Sequence, residues 1–460
     1  MPGYVEDTIV ALATPPGLAA IAVLRLSGRD ARRIAATILG DRPDDERVER
    51  LLAGSHRARL AVVRDPDSGV AIDRVLVLPM LAPRSFTGED VIEIHCHGGT
   101  LIPDRIHRAL LAVGARAARP GEFTERAFLN GKLDLCQAEA VADLIEASSE
   151  AGRAAAWQQL EGGLSRRVLA IRDALLDARA LVEAHLDFPE DDLPAEAEAE
   201  IGSSLAASTS AIDALAGTFA RGRLAREGLR VTLVGKPNVG KSSLLNAVLG
   251  HERALVSEQP GTTRDYLEEP AAVGALRILL CDTAGLRGEA DEVERAGIAR
   301  TRQRIASSDV VVAVVDGSAP LDEHDSAVLH ACAGRPHVVV RNKSDLPAAW
   351  RGEPSALEVS ARTGHGLDAL ASSIAAALPQ AEGPEPTDDA PLVTRARHHV
   401  ALVRAGDAVR RAQVALDLGQ GLDLVSCELQ TATTELDRLV GASDAEDVLD
   451  RVFSRFCVGK

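Results

Sequence analysis

Aromatic residues are scarce in this chain, which has 7 Phe, 2 Trp and 2 Tyr among 460 residues. Single-stranded nucleic acid is commonly bound by stacking its bases on aromatic side chains, so the composition leaves little material for such a platform. Positive charge is also in deficit, because 51 Lys and Arg residues stand against 68 Asp and Glu residues, a net charge of −17. This balance excludes a protein that coats nucleic acid with its whole surface, but a local basic patch remains compatible with it.

The sequence lacks the marks of a secreted or membrane-spanning protein. Its six cysteines are widely scattered and form no Cys-x-x-Cys pair, which is typical of reduced thiols. No uncharged apolar run approaches the roughly 18 residues of a membrane span, and no basic segment followed by an apolar one opens the chain. We therefore expect a cytoplasmic protein without membrane attachment. The length suggests about three domains.

Lysine and asparagine are rare as well, and their positions are informative. Only five of the 51 basic residues are lysine, and only four residues are asparagine. All of them lie in four short segments, FLNGKLDL, GKPNVGKSSLLN, RNKSD and FCVGK. Where a chain otherwise uses arginine, a lysine suggests a site that needs a compact ammonium rather than a planar guanidinium. Two of these segments are nucleotide-binding motifs, and this indicates that the other two also belong to functional sites.

Residues 223–378 alternate β-rich runs with helical stretches, which predicts a mostly parallel sheet with helices on both faces. The predicted strands cover 230–235, 275–282, 309–316, 336–342 and 356–360, with an edge strand near 266–274. Residues 1–120 mix short β-like runs with a helix near 100–113. This pattern predicts a small α+β domain.

Helical periodicity flanks the predicted sheet region on both sides. One long amphipathic helix is predicted from the spacing of Leu160, Leu164, Val168, Ile171, Leu175, Val182 and Leu186. A second is predicted from Val425, Leu429, Ala432, Leu436 and Leu439. Two independent helical domains would satisfy this pattern. The acidic or proline-rich stretches 187–200 and 378–391 favour one helical domain, residues 121–222 and 379–460, with the domain of residues 223–378 inserted into it. The expected fold class is α/β plus α.

The segment GKPNVGKS, from Gly235 to Ser242, follows a predicted strand and precedes a helical run, which is the context of a P-loop. The backbone amides of such a loop cradle phosphates, its lysine reaches the β and γ phosphates, and its serine hydroxyl binds magnesium. Contacts to the nucleotide are predicted here for Asn238, Val239, Gly240, Lys241, Ser242 and Ser243.

Three further motifs follow in the order that GTPases use. Asp282-Thr283-Ala284-Gly285 ends a predicted strand, where its carboxylate can hold magnesium through water and its glycine amide can contact a γ-phosphate. Asn342-Lys343-Ser344-Asp345 ends another strand, and Asp345 can accept the paired N1 and N2 donors of guanine. Ser360, Ala361 and Arg362 follow the last strand and are predicted to contact the guanine carbonyl side. The four motifs predict a GTPase domain that is selective for GTP over ATP.

Taken together, the motifs resemble those of the MnmE (TrmE) family of tRNA modification GTPases over nearly the whole chain. Outside the GTPase motifs, the resemblance rests on ATPPG (13–17), VLRLSG with Arg25, SFTGEDVIEIHCHGG (85–99), RPGEFTERAFLNGKLDLCQAEAVADLI (119–145), PGTTRD (260–265), DEVERAGI (291–298) and FCVGK (456–460). It implies a Ras-like GTPase domain inserted into the helical domain, and an N-terminal domain that dimerises the protein.

The resemblance also implies a folate site in the N-terminal domain. Arg25, Glu93, Lys132 and Lys460 match the folate contacts, and the implied donor is 5-formyl- or 5,10-methylene-tetrahydrofolate. Cations suit the glutamyl carboxylates of folate, and a glutamate can accept from the amino edge of the pterin ring. Two alternatives stay open: an internal ion pair for Arg25 with Glu93, and a frayed tail for FCVGK. Cys457 is a candidate nucleophile, since Lys460 would favour its thiolate.

For GTP hydrolysis, the resemblance implies that two GTPase domains pair across their nucleotides, with potassium in the place of an arginine finger. Asn238, Ser257, Gln259 and Thr262 match the potassium ligands, and Ser242 and Thr263 match the magnesium ligands. Glu294 matches the acid that orients the attacking water, which would compensate for Leu286 at the position of the Ras glutamine. A cation beside the β and γ phosphates offsets charge in the transition state. The implied catalytic residues are Glu294, Lys241, Asn238 and, as a further candidate, Cys457.

The implied function is a homodimeric GTPase that works with an FAD-dependent MnmG-type partner in a heterotetramer. The pair would add an aminomethyl or carboxymethylaminomethyl group to C5 of the wobble uridine, position 34, of certain tRNAs. One rival is a ribosome-assembly switch GTPase, which would bind no folate. A second rival is a GTP-regulated folate transferase that acts on a small molecule, which would leave tRNA nucleosides unchanged.

Overall fold

The computed structural model describes residues 7–39, 46–187, 195–252, 268–273, 276–282, 308–349, 356–377, 392–442, 452–454, 456 and 458–459. The chain separates into two compact units. Unit 1 comprises residues 1–145, 157–214 and 397–460, and unit 2 comprises residues 146–156 and 215–396. In sequence, most of unit 2 therefore lies between two stretches of unit 1. Among the helices in the described ranges, none combines the length and the hydropathy that a membrane crossing requires.

The strands are β1 (Ile9–Leu12), β2 (Ile21–Ser27), β3 (Arg59–Arg64), β4 (Ala71–Met80), β5 (Val91–His97), β6 (Arg116–Ala117), β7 (Leu229–Val234), β8 (Glu268–Val273), β9 (Leu276–Asp282), β10 (Val310–Asp316), β11 (His337–Asn342) and β12 (Leu357–Glu358). The helices are α1 (Ala31–Ile38), α2 (Glu46–Leu52), α3 (Leu101–Ala112), α4 (Glu122–Leu129), α5 (Leu135–Glu146), α6 (Glu150–Leu160), α7 (Gly163–Asp187), α8 (Ala195–Gly217), α9 (Phe219–Glu227), α10 (Lys241–Glu252), α11 (Glu323–Cys332), α12 (Leu367–Ala376), α13 (Ala396–Asp417) and α14 (Leu422–Val440).

The N-terminal part of unit 1 is a six-stranded sheet in the order β3-β4-β5-β2-β1-β6. All neighbouring pairs are antiparallel except β1 with β6, which is parallel. Alternate residues of β2, such as Leu24 and Leu26, are buried in a core that α1 and α3 share with one face of the sheet. Arg25 lies between them and projects from the opposite face, as the two-residue period of a strand requires.

The opposite face of this sheet carries apolar side chains that remain exposed. Leu60, Leu76, His95 and Val23 stand directly opposite one another across β3, β4, β5 and β2. Leu60 is 69% exposed and Leu76 is 45% exposed. Two exposed leucines side by side on neighbouring strands form an apolar patch on this face.

The long helices of unit 1 correct one sequence-based prediction. The single helix predicted over Leu160 to Leu186 is two helices, because α6 ends at Leu160 and α7 begins at Gly163. Gly162 separates them with φ +77°, a conformation that glycine adopts without strain. Within α7, Leu164, Val168, Ile171, Leu175 and Val182 are buried as predicted, whereas Leu186 is 39% exposed. The predicted stripe of α14 is confirmed, since all five of its apolar residues are buried against α7 and other neighbours.

Unit 2 contains a six-stranded sheet in the order β12-β11-β10-β7-β9-β8. Only the edge strand β8 is antiparallel to its neighbour. Each of the six predicted strands in this region overlaps an observed one. The central strand β10 is an unbroken apolar run whose alternate residues enter two separate cores, one on each face of the sheet. Burial on both faces is the property of a parallel strand covered by helices.

Candidate functional site

The loop between β7 and α10 has the backbone geometry of a phosphate-binding loop. A Cβ at Gly235 would lie 2.3 Å from the Val314 carbonyl oxygen, so only glycine fits beside β10. Gly240 has φ +94°, and a Cβ there would lie 2.3 Å from Asn342 Nδ2. Asn238, an exposed residue at the turn of the loop, also has a positive φ of 66°. These positions turn the chain sharply into the N-terminus of α10, where backbone amides and the helix dipole favour an anion.

Lys241 begins α10, and its side chain is directed back along the loop. Its ammonium donates to the carbonyl oxygens of Gly235 and Lys236, both at 2.8 Å. Only 6% of Lys241 is exposed. Ser242 and Ser243 lie exposed in the first turn of α10, and Val239 is buried beneath the loop. The loop therefore holds one ammonium and one serine hydroxyl beside its backbone amides, which is the donor set for a magnesium-bound polyphosphate.

Asn342, at the end of β11, joins this loop to the segment after β12. Its Nδ2 donates to the Val239 carbonyl oxygen at 2.8 Å, and its Oδ1 accepts from the Ala361 amide at 3.1 Å. Only 1% of Asn342 is exposed. Three segments that are far apart in sequence thus meet at one buried side chain.

Asp345 and Ser360 lie together at the same end of the sheet. The Ser360 hydroxyl donates to Asp345 Oδ1 at 2.7 Å, and this hydrogen bond keeps the pKa of Asp345 below its usual value. Arg362 lies 3.8 Å from Asp345 Oδ2 and is otherwise exposed. A carboxylate held in its ionised form by a side-chain hydroxyl is suited to accept two donors from a planar base.

Lys343 has a partner that the sequence did not reveal. Its ammonium donates to Asp316 Oδ2 at 2.6 Å, and its backbone has φ +63°. Asp316 ends β10 and pairs with Asn342 in the parallel register of β10 and β11. In the sequence, the signal for this contact was the aspartate at the end of the apolar strand β10.

In the N-terminal sheet, Arg25 and Glu93 are brought together. They stand opposite each other in the antiparallel register of β2 and β5, and Arg25 Nη2 lies 2.9 Å from Glu93 Oε1. The second carboxylate oxygen of Glu93 lies 3.2 Å from His95 Nε2. The Arg25 guanidinium is 5.8 Å from the ring centres of both Phe86 and Phe123. The ion pair proposed as an alternative for these residues is thus present, with two aromatic rings beside the guanidinium.

Lys132 lies in the turn after α4, against the segment that precedes β5. Its ammonium donates to the Pro83 carbonyl oxygen at 3.1 Å, and its side chain stem lies over Gly88. Asn130, which ends α4, donates to the Thr87 carbonyl oxygen at 2.7 Å. Segment FLNGKLDL is therefore attached to the loop that carries Phe86.

The described part of the C-terminal tail is packed against unit 1 rather than frayed. Val458 forms an isolated antiparallel bridge with Pro120, and a Cβ at Gly459 would lie 2.4 Å from the Leu12 carbonyl oxygen. Phe456 is 8% exposed and belongs to a cluster with Phe453 and Phe128. Leu12 adjoins Ala11, which pairs with Arg25, so Gly459 lies near the strand position of Arg25.

Several predicted site residues lie outside the described residues. These are Ser257, Gln259, Thr262, Thr263, Thr283, Ala284, Gly285, Glu294, Cys457 and Lys460. For Asp282, the structure describes the backbone, which ends β9.

Comparison with known proteins assigns the chain to a family. The model of the MnmE helical domain matches residues 135–457, and the model of the N-terminus of the GTP-binding protein TrmE matches residues 8–132. The tRNA modification GTPase MnmE of Moorella thermoacetica is 43% identical over 99% of this chain and 100% of its own length. That of Chloroflexus aurantiacus is 46% identical over 99% of this chain and 100% of its own length.

Several solved structures are similar to part of the chain. Era from Aquifex aeolicus, bound to GDP and aluminium fluoride, covers 39% of this chain with 26% identity and a TM-score of 0.27, too low to support an argument. The full-length relatives and the motifs identify the chain as a GTP hydrolase. On the two family models and the identity along the whole length, it belongs to the MnmE family of tRNA modification GTPases.

Proposed function

We propose that this GTP hydrolase modifies C5 of the wobble uridine, position 34, of certain tRNAs. In this proposal an FAD-dependent partner of the MnmG type joins it in a heterotetramer, and tetrahydrofolate is the one-carbon donor. The group added is aminomethyl or carboxymethylaminomethyl. The observation that carries the proposal is the position of Arg25 and Glu93, which lie side by side on β2 and β5 and stay partly exposed, so that both could contact a polar ligand.

The residues around Arg25 and Glu93 fit a folate. Oε1 of Glu93 accepts from Arg25 and Oε2 lies 3.2 Å from His95 Nε2, so exchange of one of these partners would let the carboxylate accept the amino edge of a pterin. The ring of Phe86, which is only partly buried, lies beside the guanidinium, and the buried ring of Phe123 supports it from the core. Lys132 and Lys460 would bind the glutamyl carboxylates. When bound, 5-formyl- or 5,10-methylene-tetrahydrofolate supplies the one-carbon unit.

In the GTPase domain, the proposed roles follow from the sequence motifs and from the resemblance to the MnmE family. Lys241 would bind the β and γ phosphates, and Ser242 with Thr263 would hold magnesium. Asn238, Ser257, Gln259 and Thr262 are proposed to hold potassium, with Asn238 at the exposed turn of the loop. Potassium supplies positive charge beside the phosphates. Glu294 would orient the attacking water, and Asp345 would select guanine.

Assembly is proposed to use the N-terminal sheet and the partner. The exposed apolar patch of Leu60 and Leu76 is the kind of surface that a homodimer covers. The net charge of −17 implies that much of the tRNA-binding surface comes from the partner. The proposed division is an N-terminal folate domain of residues 1–120, a helical domain of 121–222 and 379–460, and a GTPase domain of 223–378.

The test is nucleoside mass spectrometry of total tRNA from cells with and without this protein. We expect loss of 5-aminomethyl-type uridines, restored by the wild-type chain but not by Glu93→Gln. A matched control is Glu428→Gln, which removes a carboxylate that pairs with Arg411 on the helical surface. Unchanged wobble nucleosides in the deletion strain would overturn the proposal.

A further inference from the structure

Lys236, the second residue of the phosphate-binding loop, makes two kinds of contact within unit 2. Its ammonium lies 2.8 Å from Asp322 Oδ2 and 2.7 Å from Asp325 Oδ2. Its carbonyl oxygen accepts the 2.8 Å hydrogen bond from the Lys241 ammonium. The side chain of Lys236 is therefore attached to another element, while its backbone helps to hold the lysine of the loop.

The two carboxylates belong to the N-terminus of α11. Asp322 Oδ1 accepts from the Asp325 amide at 3.0 Å, and Asp325 Oδ2 accepts from the Asp322 amide at 3.2 Å, which together form a capping box. Asp325 is 2% exposed, and within the described ranges its Oδ1 has no hydrogen-bond partner. A carboxylate this deeply buried needs a cation beside it, and Lys236 supplies one.

Charge stabilises the contact of Lys236 with Asp322 and Asp325, and Pro237 restricts the backbone of Lys236. The hydrogen bonds from Lys236 to Asp322 and Asp325 raise the pKa of Lys236 to about 12, and the same contact lowers the pKa of Asp322 to about 2. The pair is therefore fully ionised at neutral pH. Pro237 follows, and a proline restricts the backbone of the residue before it. Because the Lys236 ammonium is held at α11, the residue has less freedom to move, and its carbonyl group is a hydrogen-bond acceptor for Lys241.

We propose that Lys236 is a positioning residue for GTP hydrolysis, which holds the Lys241 ammonium in place by anchoring the phosphate-binding loop to the N-terminus of α11. The inference rests on the proposed role of Lys241 at the β and γ phosphates. Charge on those phosphates is stabilised in the transition state only by donors that are already in position. Loss of the anchor should therefore lower kcat more than it weakens the binding of GTP.

The experiment measures kcat and KM for GTP with the full-length chain and five variants. Lys236→Met removes the charge, and Lys236→Arg retains it. The matched control is Arg223→Met, because Arg223 is also a half-buried cation of unit 2 and lies 2.5 Å from the well-buried Asp309. We expect kcat to fall about tenfold for Lys236→Met, to stay within about twofold for Arg223→Met, and to recover within about threefold for Lys236→Arg.

The fourth variant, Asp322→Asn, is included in case Lys236→Met does not fold. Asparagine caps a helix as well as aspartate does, so this variant keeps the start of α11 and removes one of the two charges that bind Lys236. We expect its kcat to fall about threefold. An unchanged kcat in Asp322→Asn overturns the inference, as does a kcat for Lys236→Met that equals that of Arg223→Met.

A Lys241→Ala variant distinguishes failure of the positioning role of Lys236 from failure of the proposed role of Lys241. If Lys241→Ala keeps the wild-type kcat, the proposed role of Lys241 fails and the inference fails with it. If Lys241→Ala is inactive while Lys236→Met is as active as wild type, only the positioning role of Lys236 fails.

Discussion

Arg25 and Glu93 are separated by 67 residues in sequence, yet they stand directly opposite each other on β2 and β5, with their charged groups 2.9 Å apart. The side chain of Arg25 is 20% exposed and that of Glu93 is 13% exposed. An ion pair that is partly desolvated but still reachable from solvent is well placed to exchange one partner for a polar ligand. The predictions begin from this pair.

Glu93→Gln should weaken binding of 5-formyltetrahydrofolate by about tenfold or more, since a charged hydrogen bond contributes roughly 1.5–3 kcal/mol. Isothermal titration calorimetry with the full chain measures this. Glu428→Gln is the control and should bind as the wild type does. Equal affinity of the Glu93→Gln and wild-type proteins would contradict a folate site at Arg25 and Glu93.

Replacing potassium by sodium at constant ionic strength should slow GTP hydrolysis by about tenfold or more, because the larger cation is proposed to stabilise charge beside the phosphates. Phosphate release in the two salts measures the ratio. Asn238→Ala should lose most of this ratio, whereas Arg223→Met should keep it. Equal wild-type rates in both salts would contradict the potassium site.

Asp345→Asn should weaken GTP binding by about 10- to 150-fold, the loss of one or two hydrogen bonds to a charged acceptor. Fluorescent GTP and GDP analogues give the affinities. Ser360→Ala should have a smaller effect of the same sign, because it removes the hydroxyl that lowers the pKa of Asp345 but leaves the carboxylate. Tighter binding by Asp345→Asn would exclude the proposed contact with guanine.

Glu122 should stabilise the start of α4 in a pH-dependent way. Burial alone would raise the pKa of Glu122, but hydrogen bonds from Arg116 and the Arg119 amide hold it below 4.5. A carboxyl whose folded pKa is depressed contributes its stability above the unfolded pKa and loses it as pH falls through the folded value. Glu122→Gln should therefore destabilise the protein by about 3 kcal/mol at pH 7 and by much less once the pH has fallen through the lowered folded pKa.

Hydrogen–deuterium exchange of the β1 and α4 amides measures this difference at the two pH values. Glu125→Gln is the control in the same helix, and its partner Arg119 is mostly exposed, so the cost should stay within about 1 kcal/mol. A Glu122→Gln effect of the same size at both pH values would show that charge is not the cause.

The sequence predicted the sheet of unit 2 well because its strands carry strong local signals. β10 is a run of valines broken only by Ala313, and the phosphate-binding loop has glycines at fixed positions. The short strands β1, β3 and β6 and the helices α1 and α2 escaped prediction, since they are brief and their pairing is set by residues far along the chain. The break between α6 and α7 at Gly162 was not predicted, because apolar residues can keep a helical spacing across a turn.

Side-chain partners were the least predictable part of the site. Lys236 and Asp325 are 89 residues apart, and Lys343 and Asp316 are 27 apart, so no local pattern joins them. The motifs nevertheless identified the lysines themselves, because almost every other basic residue of the chain is an arginine. A motif specifies the residue that a ligand needs, whereas the fold specifies what holds that residue in place.

Each of the four lysines in the described ranges donates to an oxygen of a neighbouring segment. Amine-directed reagents such as acylating agents and isotope-coded labels therefore report almost wholly on functional surfaces of this protein. On the roles proposed above, the labelling rate at Lys132 would follow the proposed folate site, and the rates at Lys236, Lys241 and Lys343 would follow the proposed nucleotide site. One peptide map of acylation, with and without each ligand, would thus record the occupancy of both sites in a single sample.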